Sequence, residues 1–182
     1  NYFGDDTPRL YGRLTLNPLA HLDVVGSLML VWAGIGWAKP VPVDFYALRR
    51  RSPAALMWVS LAGPLSNFLM AVVAAAPFRL GLVAQADIYG AGVINLAKFL
   101  DQFVIINLSL MLFNLIPLAP LDGEKVLEYF LPHEMARSFE QIRPYGPIIL
   151  MALLFVGPLV GINVLRYIIS YPAFFLHNLL IG

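Results

Sequence analysis

The sequence has no cysteine and little charge. Asp, Glu, Lys and Arg make up 13% of its 182 residues, against 59% hydrophobic. The missing thiols exclude a disulfide framework and thiolate chemistry, and they leave the compartment open. Soluble domains carry about 25% charged residues, so there is too little charge here to cover a water-facing surface. With a mean hydropathy of +0.74, the bilayer is the expected solvent. Neither sign is in excess. A net charge of +1 gives no basic patch for nucleic acid and no acidic store for cations. Long internal repeats and low-complexity tracts are also missing, so one membrane domain over residues 1–182 is the simplest organisation.

What is present is a series of apolar runs between charges. Residues 1–23 form a polar lead-in with Asp5, Asp6, Arg9 and Arg13, neither signal peptide nor span. Residues 24–38 lie between Asp23 and Lys39 and fall short of the roughly 20 residues a crossing needs, which predicts a tilted, re-entrant or interfacial segment. Pro40 and Pro42 favour extended chain next. Residues 52–78 are free of charge, with Pro53 suited to a first helical turn and Arg79 to the headgroups at the far end. Residues 102–121 form a second charge-free run. Extended back over Lys98 and Asp101, which are spaced to pair on one helical face, it is long enough to cross. Residues 124–143 are amphiphilic, 144–165 give a third span with Pro158 placed to kink it, and the apolar tail 162–182 carries Arg166, Tyr167, Tyr171 and His177 in an interfacial pattern. The expected fold is an all-α membrane protein with about three full transmembrane helices, a short re-entrant or interfacial segment and minor extended structure. Two crossings put Lys39 and Arg49-Arg50-Arg51 on the same side as Lys125, Arg137 and Arg143. The positive-inside rule then makes residues 39–51 and 124–143 cytoplasmic.

Chemistry concentrates where the second span ends. Pro117 and Pro120 break the helix directly before Asp122-Gly123. Broken backbone at membrane depth persists only where protein buries it or it lines a wet cavity. Asp122 has two readings: cap of a helix starting at Gly123, or a metal-ligating or proton-handling group. Asn67, in the middle of the first full span, either packs helices through a polar bond beside Gly63 and Ser66 or lines a functional cavity. His21, two residues from Asp23, either bonds locally or makes a polar contact near an active site. His177 reads as an interfacial histidine.

The run Asn114-x-x-Pro117-x-x-Pro120-Leu121-Asp122-Gly123 resembles the C-terminal motif of the site-2 protease family of intramembrane zinc metalloproteases. Three more blocks agree in the family's order: Gly-Arg-Leu-Thr-Leu-Asn-Pro-Leu-Ala-His-Leu-Asp at 12–23, Gly-Trp-Ala-Lys-Pro-Val-Pro-Val at 36–43, and Ala-Gly-Pro-Leu-Ser-Asn at 62–67. The resemblance covers residues 9–127 and is closest to bacterial members, which implies the inner membrane. It implies hydrolysis of a peptide bond in a membrane-bound substrate, with one zinc ion held by two His of an H-E-x-x-H helix and by an Asp. By that resemblance Asp122 is the metal ligand and Asn114 assists at the substrate or oxyanion, with His21 and Asn67 in the surroundings of the site. Such a zinc centre keeps an open position for water, and the Glu of H-E-x-x-H serves as general base. The extended stretch 40–43 is suited to bind an unwound substrate by strand addition, or is an ordinary connector.

The sequence departs from the family in containing no H-E-x-x-H. Its His133-Glu134 pair lacks the second His and lies downstream of Asp122; it reads as a solvated helix face. Residues 4–13 resemble the segment that follows the zinc helix in bacterial members, so that helix is expected upstream of Asn1. The expected partners are the lipid bilayer and a membrane-protein substrate, no nucleic acid, and members of a membrane complex through segment 162–182. The alternative is a non-catalytic, pseudoprotease subunit of a membrane complex. A small transporter using Asp122 as a proton site leaves the four ordered blocks unexplained.

Overall fold

A computed structural model describes residues 6–15, 17–33, 38–39, 41–42, 44, 48, 52–90 and 95–182. The chain divides into two compact units, residues 1–56 and 57–182. The strand-addition stretch 40–43 and the arginines 49–51 lie largely outside the described residues.

The first unit is built from short elements. Helix α1 (Thr7–Leu10) is followed by a 3-10 turn at Pro18–Ala20, whose start is capped by the Asn17 side chain accepting from the Leu19 amide. Helix α2 (Val24–Ala33) realises the short apolar run. Asp23 caps it, its Oδ1 accepting from the Gly26 amide at 2.8 Å. Among the described residues, extended structure is confined to an isolated antiparallel bridge between Leu22 and Ala38, beside which the Lys39 amide donates to the His21 carbonyl at 2.8 Å.

Helix α3 (Pro53–Arg79) realises the first long charge-free run. Ser52 Oγ accepts from the Ala54 amide at its start. At its end Gly81 adopts φ 69°, and the amides of Gly81 and Leu82 turn back to the carbonyls of Phe78 and Pro77, a Schellman closure that needs the left-handed residue. Helix α4 (Leu96–Asn114) is capped by Asn95, which accepts from the Lys98 amide at 2.8 Å.

Beyond α4 lie α5 (Asp122–Phe130), α6 (His133–Ile142), a 3-10 turn (Arg143–Tyr145), α7 (Gly146–Met151), a π turn (Ala152–Val156) and α8 (Gly157–Leu159). A second π turn (Arg166–Ser170) leads into α9 (Tyr171–Ile181). Each π turn ends two residues before a proline, Pro158 and Pro172. A proline removes one helical hydrogen bond and crowds the carbonyl four residues back, and a locally widened turn relieves both.

Among the described residues, three helical stretches are long and apolar enough to cross a bilayer: 54–79, 96–114 and 133–159. The third begins earlier and ends sooner than the expected 144–165. Its amphiphilic start continues from α6 without a break, and Gly161 at φ 78° ends it with the Ile162 amide on the Gly157 carbonyl. Large side chains stand exposed along all three, among them Leu65, Leu69, Phe99, Ile106, Ile148 and Phe155. A lipid-facing surface has this character.

The core of the second unit joins α3, α4 and α9 through small residues. Ala71, Ala74, Ala75, Ala97 and Ala173 are buried with Phe78, Val104, Leu108 and Ile181, letting backbones approach closely. Two polar ties add to it. Asp101 accepts from His177 Nε2 at 2.7 Å, and the carbonyls ending α9 are satisfied by Arg79 on Leu179 and Leu180 and by Gln85 on Ile181.

Candidate metal centre

The site is built around the break between α4 and α5. Pro117 cannot continue α4, having no amide to donate, and the chain instead folds through residues 115–121. Its backbone groups find partners locally: Leu115 on Met111, Ile116 on Phe113, Leu118 on Ile116 and Leu121 on Leu118. That pairing is what a non-helical stretch in apolar surroundings requires. The Ala119–Pro120 peptide is cis. Ile116 and Leu121 are buried against Leu150 of α7, with Phe113, Leu118, Leu165 and Ile169 around them.

Gly123 makes the return possible. A Cβ there would stand 2.2 Å from the Leu115 carbonyl oxygen and 2.6 Å from that of Ile116. The end of α4 and the start of α5 therefore touch backbone to backbone. Asn114 and Asp122 each lie one residue from that contact in sequence.

Asp122 is the first residue of α5, with Leu121 in the capping position, and the helix start has no side-chain cap. The carboxylate is thus not used as an N-cap. It is half-buried, and it makes no hydrogen bond or ion pair among the described residues. Burial raises its pKa above the usual carboxylate value, with Lys125 pulling it partly back. Across from it stands Gly63 of α3, where an added Cβ would lie 3.3 Å from Asp122 Oδ2. The Gly-Pro block at 63–64 and the Leu-Asp-Gly block at 121–123, distant in sequence, meet here.

The other sequence-predicted residues are placed as follows. Asn114 ends α4 half-buried, its Nδ2 donating to the Leu110 carbonyl at 2.9 Å, which leaves its side-chain oxygen as an acceptor. Asn67 lies one helical turn from Gly63, so both share a face of α3; it is half-buried and its amide makes no hydrogen bond among the described residues. His21 belongs to the first unit, where its Nε2 donates to the Thr15 carbonyl at 2.9 Å. His133 and Glu134 are exposed at the start of α6.

Three residues escaped the sequence: Glu124, Glu128 and Arg143. Glu124 is only 3% exposed, and with Glu128 it is held by Arg143: Nε donates to Glu124 and Nη2 to Glu128 at 2.6 Å. The available signal was the spacing of Glu124 and Glu128, which places two like charges on one face of α5 and calls for a cation between them.

Among the described residues, no three His, Cys, Asp or Glu side chains gather where a metal could sit. A half-buried carboxylate with no hydrogen bond or ion pair among the described residues, beside a broken helix, has the chemistry of one ligand position of a zinc centre. The fold and this position define an integral membrane protein of helical type. Residues 80–157 match peptidase family M50. Over 164 residues the chain is 40% identical to "Putative zinc metalloprotease YwhC" of Bacillus subtilis, covering 86% of this chain and 71% of that protein. It is 28% identical over 160 residues to "Putative zinc metalloprotease Rip2" of Mycolicibacterium smegmatis, and 30% identical over 159 to the protein of that name from Mycobacterium tuberculosis. Those matches cover 84% and 86% of this chain but only 57% and 58% of the two mycobacterial proteins. No solved structure matches. The chain belongs to peptidase family M50, the site-2 protease family.

Proposed function

We propose that this chain forms part of an intramembrane zinc metalloprotease that hydrolyses a peptide bond of a membrane-bound substrate. One observation carries the proposal: Asp122 holds a half-buried carboxylate that makes no hydrogen bond or ion pair among the described residues, directly after the non-helical stretch 115–121 and facing Gly63 of α3. Keeping such a group ionised in apolar surroundings requires a compensating positive charge, and a zinc ion supplies it. Membership of family M50 and the zinc metalloprotease names of the relatives support the same assignment.

In this reading Asp122 holds one zinc ion. The remaining ligands, two His with a Glu as general base, come from outside this sequence, which itself lacks an H-E-x-x-H run. When bound, zinc supplies a Lewis acid that polarises a carbonyl and acidifies water. The Asn114 side-chain oxygen is free to accept from a substrate amide. Asn67 and Gly63 line the α3 side, with Gly63 leaving room next to the carboxylate. His21 belongs to the surroundings in this reading, and segment 162–182, with Tyr167, Phe174 and Phe175 exposed, offers an aromatic face to other membrane proteins. The proposed location is a bacterial inner membrane with residues 39–51 and 124–143 in the cytoplasm, a reading that their Lys and Arg content supports.

Metal analysis of the purified full-length protein beside Asp122→Ala tests the proposal. About one zinc per chain, lost in the variant together with cleavage of a membrane-embedded substrate in liposomes, is the expected result. No zinc in the intact protein under metal-replete conditions overturns it and leaves a non-catalytic membrane subunit.

A further inference from the structure

The surroundings of Asp122 are fixed by groups that do not touch its carboxylate. Glu124 and Glu128 lie one helical turn apart on α5, on a face rotated about 200° from Asp122 as the helix winds. They are therefore outside any ligand set that Asp122 joins. Glu124 is nonetheless among the most buried charged groups of the chain, its side chain 4% exposed, and Glu128 is 16% exposed. One guanidinium, that of Arg143, bridges them through two different nitrogens. Three residues on, Gly146 opens α7 directly against the motif loop: a Cβ there would fall 2.4 Å from the Ala119 carbonyl oxygen and 2.7 Å from the Ala119 Cβ. The short segment from Arg143 to Gly146 thus grips α5 with a side chain and the loop 115–121 with its backbone. Asp122 sits at the junction of the two.

We propose that Arg143 is a positioning residue for Asp122: by tying Glu124 to Glu128 it sets the rotation of α5 about its axis, and with Gly146 seated on Ala119 it fixes where the Asp122 carboxylate points. The proposal rests on Asp122 being a metal ligand, as argued above. A bidentate guanidinium defines orientation as well as charge, because its donors lie in a fixed plane. A lysine would neutralise the pair without fixing the angle between them. Groups one shell away from a metal, which orient its ligands, typically change affinity 10–100-fold when altered.

A purely structural Arg143 would serve only to offset the charge of Glu124 and Glu128, and replacing all three charges by amides separates the two roles. Zinc affinity is measured by chelator competition on the purified full-length protein, and heat unfolding is followed on the same samples free of metal. The variants are Arg143→Lys and the triple variant Arg143→Gln, Glu124→Gln, Glu128→Gln. The expected result is a triple variant that unfolds near the wild-type temperature while binding zinc about 10–100-fold more weakly, with a smaller loss for Arg143→Lys. Wild-type affinity in the triple variant, or losses that only track the folded fraction, overturn the positioning role and leave the ligand role of Asp122 intact. A wild-type protein that binds no zinc overturns the ligand role itself, and the positioning role with it.

Discussion

A methyl group built on Gly63 of α3 stands 3.3 Å from Oδ2 of Asp122 at the start of α5. The contact joins two sequence blocks separated by an entire helix, and it gives Gly63 a reason to lack a side chain inside a helix that would otherwise favour one. An added Cβ at that distance forces the carboxylate to give way by a few tenths of an ångström, and among the described residues no other atom outside its own helix lies within 4 Å of it.

Gly63→Ala therefore has two effects of opposite sign. Replacing a mid-helix glycine by alanine stabilises a helix by up to about 1 kcal/mol. Displacing Asp122 weakens zinc binding, with about tenfold expected for a disturbed ligand orientation. Heat unfolding of the metal-free protein and chelator competition measure the two separately. A variant as stable as wild type that binds zinc with undiminished affinity would show that Gly63 serves helix packing alone.

The pH dependence of the metal-free protein follows from the burial of Asp122. Desolvation raises its folded pKa above the unfolded value, the Lys125 charge offsetting part of the rise. A raised carboxyl pKa means that its contribution is fully present below the unfolded pKa and is lost as pH rises through the folded one. Metal-free wild type is thus destabilised by the ionised Asp122 near neutrality, and Asp122→Asn removes that penalty. Unfolding curves of the two proteins, taken from about pH 4 to pH 8, should lie closest at the acid end and separate as pH rises, the variant being the more stable. Parallel curves would mean that Asp122 is as well solvated in the folded chain as in the unfolded one.

The large features were legible because they depend on run lengths and backbone chemistry. A charge-free stretch at 52–78 has few alternatives to a helix, and Pro117 with Pro120 could only break the next one. What the sequence concealed were partnerships set by packing. Nothing local to His177 connects it with Asp101, 76 positions away, and it reads as one more interfacial histidine. Arg143 in a charged stretch looks solvated, since only the tertiary structure shows that Glu124 is buried. The helix that carries the third apolar run starts before that run for a related reason: α6 is polar on one face, so its continuity with the apolar helix beyond it left no mark in a count of charges. At Asp122 the chemistry was visible and the local role was not, since an Asp before Gly is a good helix cap and only the geometry puts Leu121 in that position.

Gly123 and Gly146 allow a sharper test of the motif loop. Each has backbone oxygen closer than any Cβ tolerates, 2.2 Å at Leu115 for Gly123 and 2.4 Å at Ala119 for Gly146. Neither contact is with the end of a flexible side chain, so backbone must move. Alanine at either position is expected to cost about 3 kcal/mol, the upper part of the usual range for overpacking, and to reduce zinc binding even under conditions where the chain stays folded. Alanine at Gly12, where no atom lies within 4 Å but φ is 64°, is the control: it introduces backbone strain without a clash and should leave zinc affinity unchanged. Equal effects at all three positions would indicate that general loss of glycine flexibility, and not the close approach, is what matters.

The pairing of His177 with Asp101 makes the last prediction, and it concerns assembly of the helices. His177 Nε2 and Asp101 Oδ1 are 2.7 Å apart, with side chains 16% and 24% exposed, and they tie α9 to α4 beside the alanine-rich core. Removing one partner leaves the other partly buried without its hydrogen bond, which costs about 1–3 kcal/mol. His177→Phe and Asp101→Leu, which cannot form the bond, should each destabilise the metal-free protein by that order. Removing both should cost less than the sum, with a coupling of about 0.5–3 kcal/mol in a double-mutant cycle. Neither change touches the loop 115–121, so zinc affinity in the folded variants is expected to stay at the wild-type value. Additive losses would show that the pair contributes nothing beyond the packing of each residue. A loss of zinc affinity in folded protein would mean instead that the seating of α9 on α4 reaches Asn114 at the far end of the same helix.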